Sequence, residues 1–384
     1  MNRVSLGEIA DFINGVAFKP SDWTNEGRKI IRIQNLTNSS KPYNLTSRVV
    51  DPKYEVHQGE LLVSWSATLD VFTWESEEVA LVNQHIFRVV PDREKIETNY
   101  LRHMLKDAIR LMDRLVHGAT MKHINRKEFL GVEIPLPPLP EQKRIAAILD
   151  AADALRVKRR EAIAALDDLV QATFIERFGD PVINPMGWDV VPIGDVAESL
   201  DGGKNVAPVD GETANRVLKV SAVTSGTFRA NESKPIPDSF QVPSSYYVKP
   251  HDLLISRANT AELVGATAYV WDTPDNLMLP DKIWRFVWNK PQRIAPLFFY
   301  VLSQTAGFRR ELIQRCSGTS GSMKNIAKSK MITIPIVLPP IEIQTEFADF
   351  YKSMRLLKIS YQTQLTELDT LFTSLQTRAF VGEL

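Results

Sequence analysis

The 38 residues from Glu141 to Phe178 contain neither proline nor glycine and are mostly Ala, Leu, Arg, Glu and Ile. These are mostly good helix formers. Punctuation brackets the stretch. Pro135, Pro137, Pro138 and Pro140 precede it, and Gly179-Asp180-Pro181 follows. Proline lacks an amide and clashes with the preceding turn, so the prolines hold an extended segment, and the last serves as a first helical residue. Glycine followed by Asp-Pro is a stop. Apolar residues fall three and four apart at Ile145, Ile148, Ala152, Leu155, Ala162, Leu166 and Leu169, with Arg159 interrupting. Such a heptad stripe needs a partner helix to bury it. At about 1.5 Å per residue the helix is about 57 Å long. That is too long for the core of one small domain and points to a spacer or coiled coil.

The partner lies in the same chain. Adding 202 to those positions gives, without gaps, Phe347, Phe350, Met354, Leu357, Gln364, Leu368 and Leu371, with Tyr361 in place of Arg159. Pro137-Pro138 falls on Pro339-Pro340, Gln142 on Gln344, Met121-Lys122 on Met323-Lys324 and Phe178 on Phe380. The segments before the helices repeat as well. Val4 to Asp11 matches Val191 to Glu198 at an offset of 187, which also places Arg32 on Lys219. Glu60-Leu61-Leu62-Val63-Ser64 matches Asp252-Leu253-Leu254-Ile255-Ser256 at 192, and Ile86 and Arg88 fall on Ile283 and Arg285 at 197. The rising offset marks small loop insertions in the second copy. The period is too long for a solenoid, so the order is globular unit, helix, globular unit, helix: residues 1–136, 137–180, 181–338 and 339–384. Within the first unit the apolar runs predict strands at 29–33, 61–64, 85–90 and 132–135, and a helix from Asn99 to about Val116.

The 384 residues have ample apolar content for a core in each unit. Net charge is zero, so nucleic-acid binding would have to come from local patches or from partners. The one cysteine, Cys316, excludes an internal disulfide framework and a cysteine zinc site, and fits a reducing cytoplasm. No signal peptide and no bilayer-spanning apolar run is present.

Catalytic signatures are missing. There is no phosphate loop, no glycine-rich dinucleotide turn, no H-E-x-x-H and no nucleophile elbow. Asn184-Pro185-Met186-Gly187-Trp188 is only superficially like a DNA amino-methyltransferase loop; it lacks the second proline and reads as a linker turn. Pro91-Asp92 and Glu141-Gln142-Lys143 lie about 50 positions apart and make no nuclease site. Six histidines are scattered without metal spacing.

Groups suited to reading DNA do recur at equivalent places. Grooves are read by Arg, Lys, Asn, Gln, Ser and Thr, and phosphates attract Lys and Arg. The first unit has Arg32, Gln34 and Asn35, then Ser64, Trp65 and Thr68, then Gln84 and His85, then Thr120, Lys122 and His123. The second has Lys219 and Ser221, then Arg257, Asn259 and Thr260, then Lys282, then Ser320, Ser322, Lys324 and Asn325. As a set repeated twice these mark a binding surface.

The segment Pro-Leu-Pro-Pro-Leu-Pro-Glu-Gln-Lys-Arg-Ile at 135–145, followed by a long helix and repeated after a second unit, resembles the specificity subunit of type I restriction-modification systems. The second copy departs from the motif, reading Pro339-Pro340-Ile341-Glu342-Ile343-Gln344. The resemblance implies an α+β chain with two pseudosymmetric target-recognition domains, separated by two long helices that form an antiparallel coiled coil. Each domain would read one half of a split, asymmetric site in double-stranded DNA, with the helices fixing the gap. A rod of about 50 Å corresponds to about 15 base pairs. The family has no chemistry or cofactor of its own. It docks two methyltransferase subunits that use S-adenosylmethionine and, through the complex, a motor-nuclease subunit that uses ATP with Mg. The location implied is cytoplasmic, with no membrane contact. The alternatives are a stand-alone nuclease or methyltransferase with degenerate motifs, and a coiled-coil adaptor that binds only protein.

Overall fold

The structure is a computed structural model and describes residues 2–115, 125–318 and 323–384, of which 113–115 by backbone alone. By packing, the chain divides into two compact units. One comprises residues 1–161 and 362–384, the other residues 162–361. Each unit therefore holds one globular α+β body and a part of each long helix.

In the first unit, Arg3–Ser5 pairs antiparallel with Glu133–Pro135, the strand directly before the central helix. Between them lies an antiparallel sheet in the order Ala10–Asn14, Ile86–Pro91, Leu61–Ser64, Asp70–Thr73. A mixed sheet of Asn44–Thr46, Arg28–Ile31, Ala80–Val82 and Glu55–Val56 accompanies it. The run Leu61-Leu62-Val63-Ser64 is apolar without alternation because both faces of its sheet are covered. Leu61, Val63, Phe87 and Val89 share a core with Tyr100, Leu101, Met104 and Leu105 of the helix Thr98–Leu115. Leu62 and Ile86 point the other way, into a core with Ile31, Val56, Trp74 and Val82.

The second unit repeats the plan. Asp189–Pro192 pairs with Pro335–Leu338 before the C-terminal helix. The sheet order is Ala197–Gly202, Ile283–Trp288, Leu253–Ser256, Thr267–Tyr269. Two helices, Pro296–Gln304 and Ala306–Arg315, stand where the first unit has one. Thr305 divides them: its hydroxyl accepts from Phe308 N at 3.3 Å and caps the second helix.

The long helices run over Leu139–Phe178 and Ile341–Val381, 40 and 41 residues. Gly179, at φ +73°, ends the first; a side chain there would also meet Pro185. At each helix root a buried glutamine ties helix to body. Gln142 Oε1 accepts from Glu97 N (2.8 Å), and its Nε2 donates to Lys95 O (2.9 Å) and Pro137 O (2.8 Å). Gln344 repeats this with Ala295 N (2.9 Å), Arg293 O (3.2 Å) and Pro339 O (2.7 Å).

Within each unit the helices pack antiparallel. In the first, Arg156 Nε reaches Asp369 at 2.6 Å and Arg144 donates to Leu384 O at 2.8 Å. In the second, Lys358 meets Asp167 at 2.5 Å and Arg177 meets Glu346 at 3.4 Å. The seam differs from the expected one. Leu155 and Leu169 are 54% and 46% exposed, and Leu371 is 49% exposed. The buried positions are Ile145, Leu149 and Ala152 in one unit and Leu166, Val170, Phe174 and Phe178 in the other. In the first unit Arg156 follows in that register. Its guanidinium lies 4.3 Å from the centre of the Phe372 ring and also pairs with Asp153 at 2.7 Å. Stacked and paired, an arginine can occupy a seam position that an apolar count assigns to leucine.

Candidate nucleic-acid interface

In both units the candidate residues lie at the ends of the same strands. Ser64 and Ser256 close Leu61–Ser64 and Leu253–Ser256 and are wholly buried. Ser64 Oγ donates to Thr68 O and accepts from Asp70 N at 3.2 Å; Ser256 Oγ donates to Leu263 O at 3.1 Å. Their hydroxyls are spent on shaping the loops that follow. Those loops present Thr68 and Thr260, both exposed.

Trp65 and Arg257 come next in each loop. Trp65 stacks on Phe87 at 5.8 Å between centroids and meets His85 edge-on at 5.4 Å; its amide donates to His85 O. Arg257 lies over Trp284 at 5.7 Å, its amide donates to Lys282 O, and its Nε donates to Asp281 O at 2.9 Å. The Asp281 carboxylate is 3.8 Å away. Gln84 and His85 touch at 3.2 Å. The Lys282 ammonium has no partner among the described residues. The fold thus brings Trp65 to His85 and, at the equivalent place, Arg257 to Lys282.

Arg32 and Lys219 also hold matching places, each preceding a short helical turn, Ile33–Thr37 and Val220–Ala222. Arg32 Nη1 donates to Asn44 Oδ1 at 3.4 Å and its guanidinium is 5.8 Å from the Trp23 ring. Asn35 is buried. Its Oδ1 accepts from Arg32 N, and its Nδ2 donates to Lys41 O and Pro42 O, both at 3.2 Å. Gln34 is exposed. Lys219 and Ser221 converge on Glu232, at 3.5 and 2.7 Å. The Ser221 hydroxyl and the Lys219 charge hold the Glu232 carboxyl below its ordinary range. Asn259 lies in a two-residue strand paired with Lys324–Asn325, and Lys324 Nζ donates to Gly318 O at 2.7 Å. Thr120, Lys122, His123, Ser320 and Ser322 lie outside the described residues.

Sequence reasoning passed over the rings at the centre of these clusters, Phe87 and Trp284, and over two cations beside them, Arg126 and Lys328. The signal was available: 87 and 284 differ by the 197 of their strand, and 126 and 328 by the 202 of the helices. Among the described residues, no group of three or more His, Cys, Asp or Glu could hold a metal ion. No helix there is long and apolar enough to cross a membrane.

A family model described as the type I restriction modification DNA specificity domain matches residues 1–165 and 185–368. The chain belongs to that family. It is 23% identical over 421 aligned residues to the EcoBI specificity subunit of Escherichia coli, covering 100% of this chain and 86% of that one. To the EcoEI specificity subunit of the same species it is 32% identical over 200 residues, 49% of this chain but only 33% of that protein. Its fold matches the crystal structure of a type I restriction-modification S subunit from M. genitalium with a TM-score of 0.59 at 12% identity, covering 99% and 96% of the two chains. Family membership accords with the α+β, twice-repeated architecture read from the sequence. The family and both curated relatives are named for specificity, and nothing among these matches supports the alternative of a stand-alone modifying enzyme.

Proposed function

We propose that this chain is the sequence-reading subunit of a type I restriction-modification complex. Each globular unit reads one half of a split, asymmetric site in double-stranded DNA. The observation that carries this is the recurrence, at the same strand ends of both units, of polar and cationic loop residues with one member set against a buried ring, Trp65 on Phe87 and Arg257 on Trp284. Trp65, Thr68, Gln84 and His85 serve in one unit, and Arg257, Asn259, Thr260 and Lys282 in the other. Arg32 and Lys219 flank them. Ser64 and Asn35 act beneath this surface, shaping loops.

Chemistry belongs to partners in this reading. Methyltransferase subunits bring S-adenosylmethionine and extrude the target base; a motor-nuclease subunit brings ATP and Mg; the complex works in the cytoplasm. The long helices set the gap between half-sites. Each unit also leaves helix leucines unburied, Leu155 and Leu371 in the first and Leu169, Leu356 and Leu357 in the second. In this reading, one methyltransferase subunit covers each set.

Methylome sequencing of cells expressing this chain with its partner subunits tests the reading. Two short sequences separated by a fixed, unspecified gap are expected. Lengthening both long helices by one heptad should change the gap and leave the two sequences alone. A continuous motif overturns the two-reader scheme, a gap indifferent to helix length overturns the ruler, and methyl transfer by the purified chain alone favours the stand-alone enzyme.

A further inference from the structure

Several cations near the candidate loops are neutralised. Arg257, Lys219, Arg88 and Arg285 each face a carboxylate, of Asp281, Glu232, Glu60 and Asp252. Arg126 and Lys328 form no ion pair among the described residues. Both are exposed and both sit on a buried ring. The Arg126 guanidinium lies 5.8 Å from the Phe87 centroid and the Lys328 ammonium 5.7 Å from that of Trp284. The rings themselves are 1% and 4% exposed.

The arrangement is conserved between the units although every residue type in it differs: arginine on phenylalanine in one, lysine on tryptophan in the other. A ring positions a cation without neutralising it, since the attraction at an exposed site is only about 0.5–1 kcal/mol. A carboxylate partner would instead cancel the charge that a phosphate needs. Arg126 spends one donor, Nη2 to Phe12 O at 2.9 Å, which aims the guanidinium. Lys328 spends none of its three donors among the described residues. Each is the first residue of a short helix, Arg126–Leu130 and Lys328–Met331.

We infer that Arg126 and Lys328 are equivalent DNA-backbone contacts of the two units, held ready on Phe87 and Trp284, each taking one phosphate beside the bases its unit reads. The inference rests on the DNA-reading function proposed above and names residues that function does not require.

The test uses the full chain assembled with its methyltransferase subunits. Binding to its split site is followed by fluorescence anisotropy from about 50 to about 200 mM salt, for the wild type, Arg126→Gln, Lys328→Gln and Lys328→Arg. One phosphate contact contributes about 0.9 to the slope of log K against log salt. Across that fourfold range, wild-type affinity should therefore fall about 3.5-fold more than that of either glutamine variant. The loss should be the same factor on every variant DNA, and Lys328→Arg should retain the wild-type slope. An unchanged slope in Lys328→Gln, with unfolding temperature also unchanged, overturns the inference. So does a loss confined to substitutions at one base pair, which would make the residue a base reader. Failure of the underlying reading looks different: the wild type itself would show no preference for its site over scrambled DNA.

Discussion

Replacing Gln142 tests how the long helix is fixed to the body that it leaves. Its side chain is 1% exposed and makes three hydrogen bonds, to Glu97 N, Lys95 O and Pro137 O. The prolines explain the need. Pro137 and Pro138 hold the chain extended, so the Pro137 carbonyl enters no helical ladder, and the side chain one turn ahead supplies its donor. Gln142→Met keeps the length of the side chain and removes all three bonds. An unsatisfied buried group costs about 1–3 kcal/mol. The bond to the Pro137 carbonyl is buried and the other two are part-buried, which gives a loss of about 3–5 kcal/mol. A typical exposed substitution changes stability by about 0.5 kcal/mol or less. Chemical denaturation measures the loss, and amide exchange at Glu97, whose acceptor has gone, localises it. Gln344→Met should do the same to the second unit and raise exchange at Ala295. A loss under about 1 kcal/mol, with Glu97 still protected, would show that Gln142 merely fills space and would refute the reasoning.

Two further predictions concern the same helices. His103 is fully buried with Nε2 2.6 Å from Asp150 Oδ1, and burial holds its pKa below the ordinary 6.5 against the opposing pull of that bond. The unfolded chain therefore takes the proton first: the stability is complete above about pH 7 and declines as pH falls through 6.5. His103→Asn should flatten that decline, by up to about 1.4 kcal/mol per pH unit, in denaturant midpoints compared at neutral and acidic pH; parallel profiles would refute it. Arg156→Ala should cost about 1–2 kcal/mol, because it removes packing on Phe372 as well as the bonds to Asp369 and Asp153. Lys358→Ala should cost less in the same assay, since its pair with Asp167 is more exposed and Val170 stands where the first unit has Phe372; equal losses would argue against the stacking.

What the sequence disclosed, it disclosed by repetition. Proline and glycine bounded the first long helix to within two residues, because they are local signals that tertiary packing rarely overrides, and the gapless offset of 202 carried that reading to the second. Continuous apolar runs located the inner strands Leu61–Ser64 and Ile86–Pro91, whose two faces are both covered. The strands Ala10–Asn14, Asn44–Thr46 and Asp70–Thr73 carry polar residues and half-exposed positions, so no apolar run announces them. At the candidate interface, residue type could not tell a hydroxyl that faces outward from one that holds a loop. Ser64 and Thr68 read alike in sequence, and only the register at the strand's end buries the first and exposes the second.

The seam of the long helices shows the same limit more sharply. Leu155 and Arg156 are adjacent, and either continues a three-and-four spacing from Ala152. Leu169 and Val170 pose the same choice from Leu166. Periodicity cannot separate the two registers, and apolar preference selects Leu155 and Leu169. The chain takes Arg156 and Val170, because what faces those positions decides the outcome: Asp369 and the Phe372 ring accept a guanidinium in the first unit. The choice has a second consequence. A helix whose seam includes a charged residue can hold its leucines in reserve, and Leu155, Leu169 and Leu371 stay half exposed. A singly exposed leucine is ordinary on a protein surface, and only a contiguous apolar patch marks a contact. In the assembly proposed above a methyltransferase subunit covers them, so Leu155→Lys is a sharper probe of assembly than of folding. Co-purification of the methyltransferase subunit should be lost while the unfolding temperature of the isolated chain holds. A variant that assembles normally would show that Leu155 serves no partner.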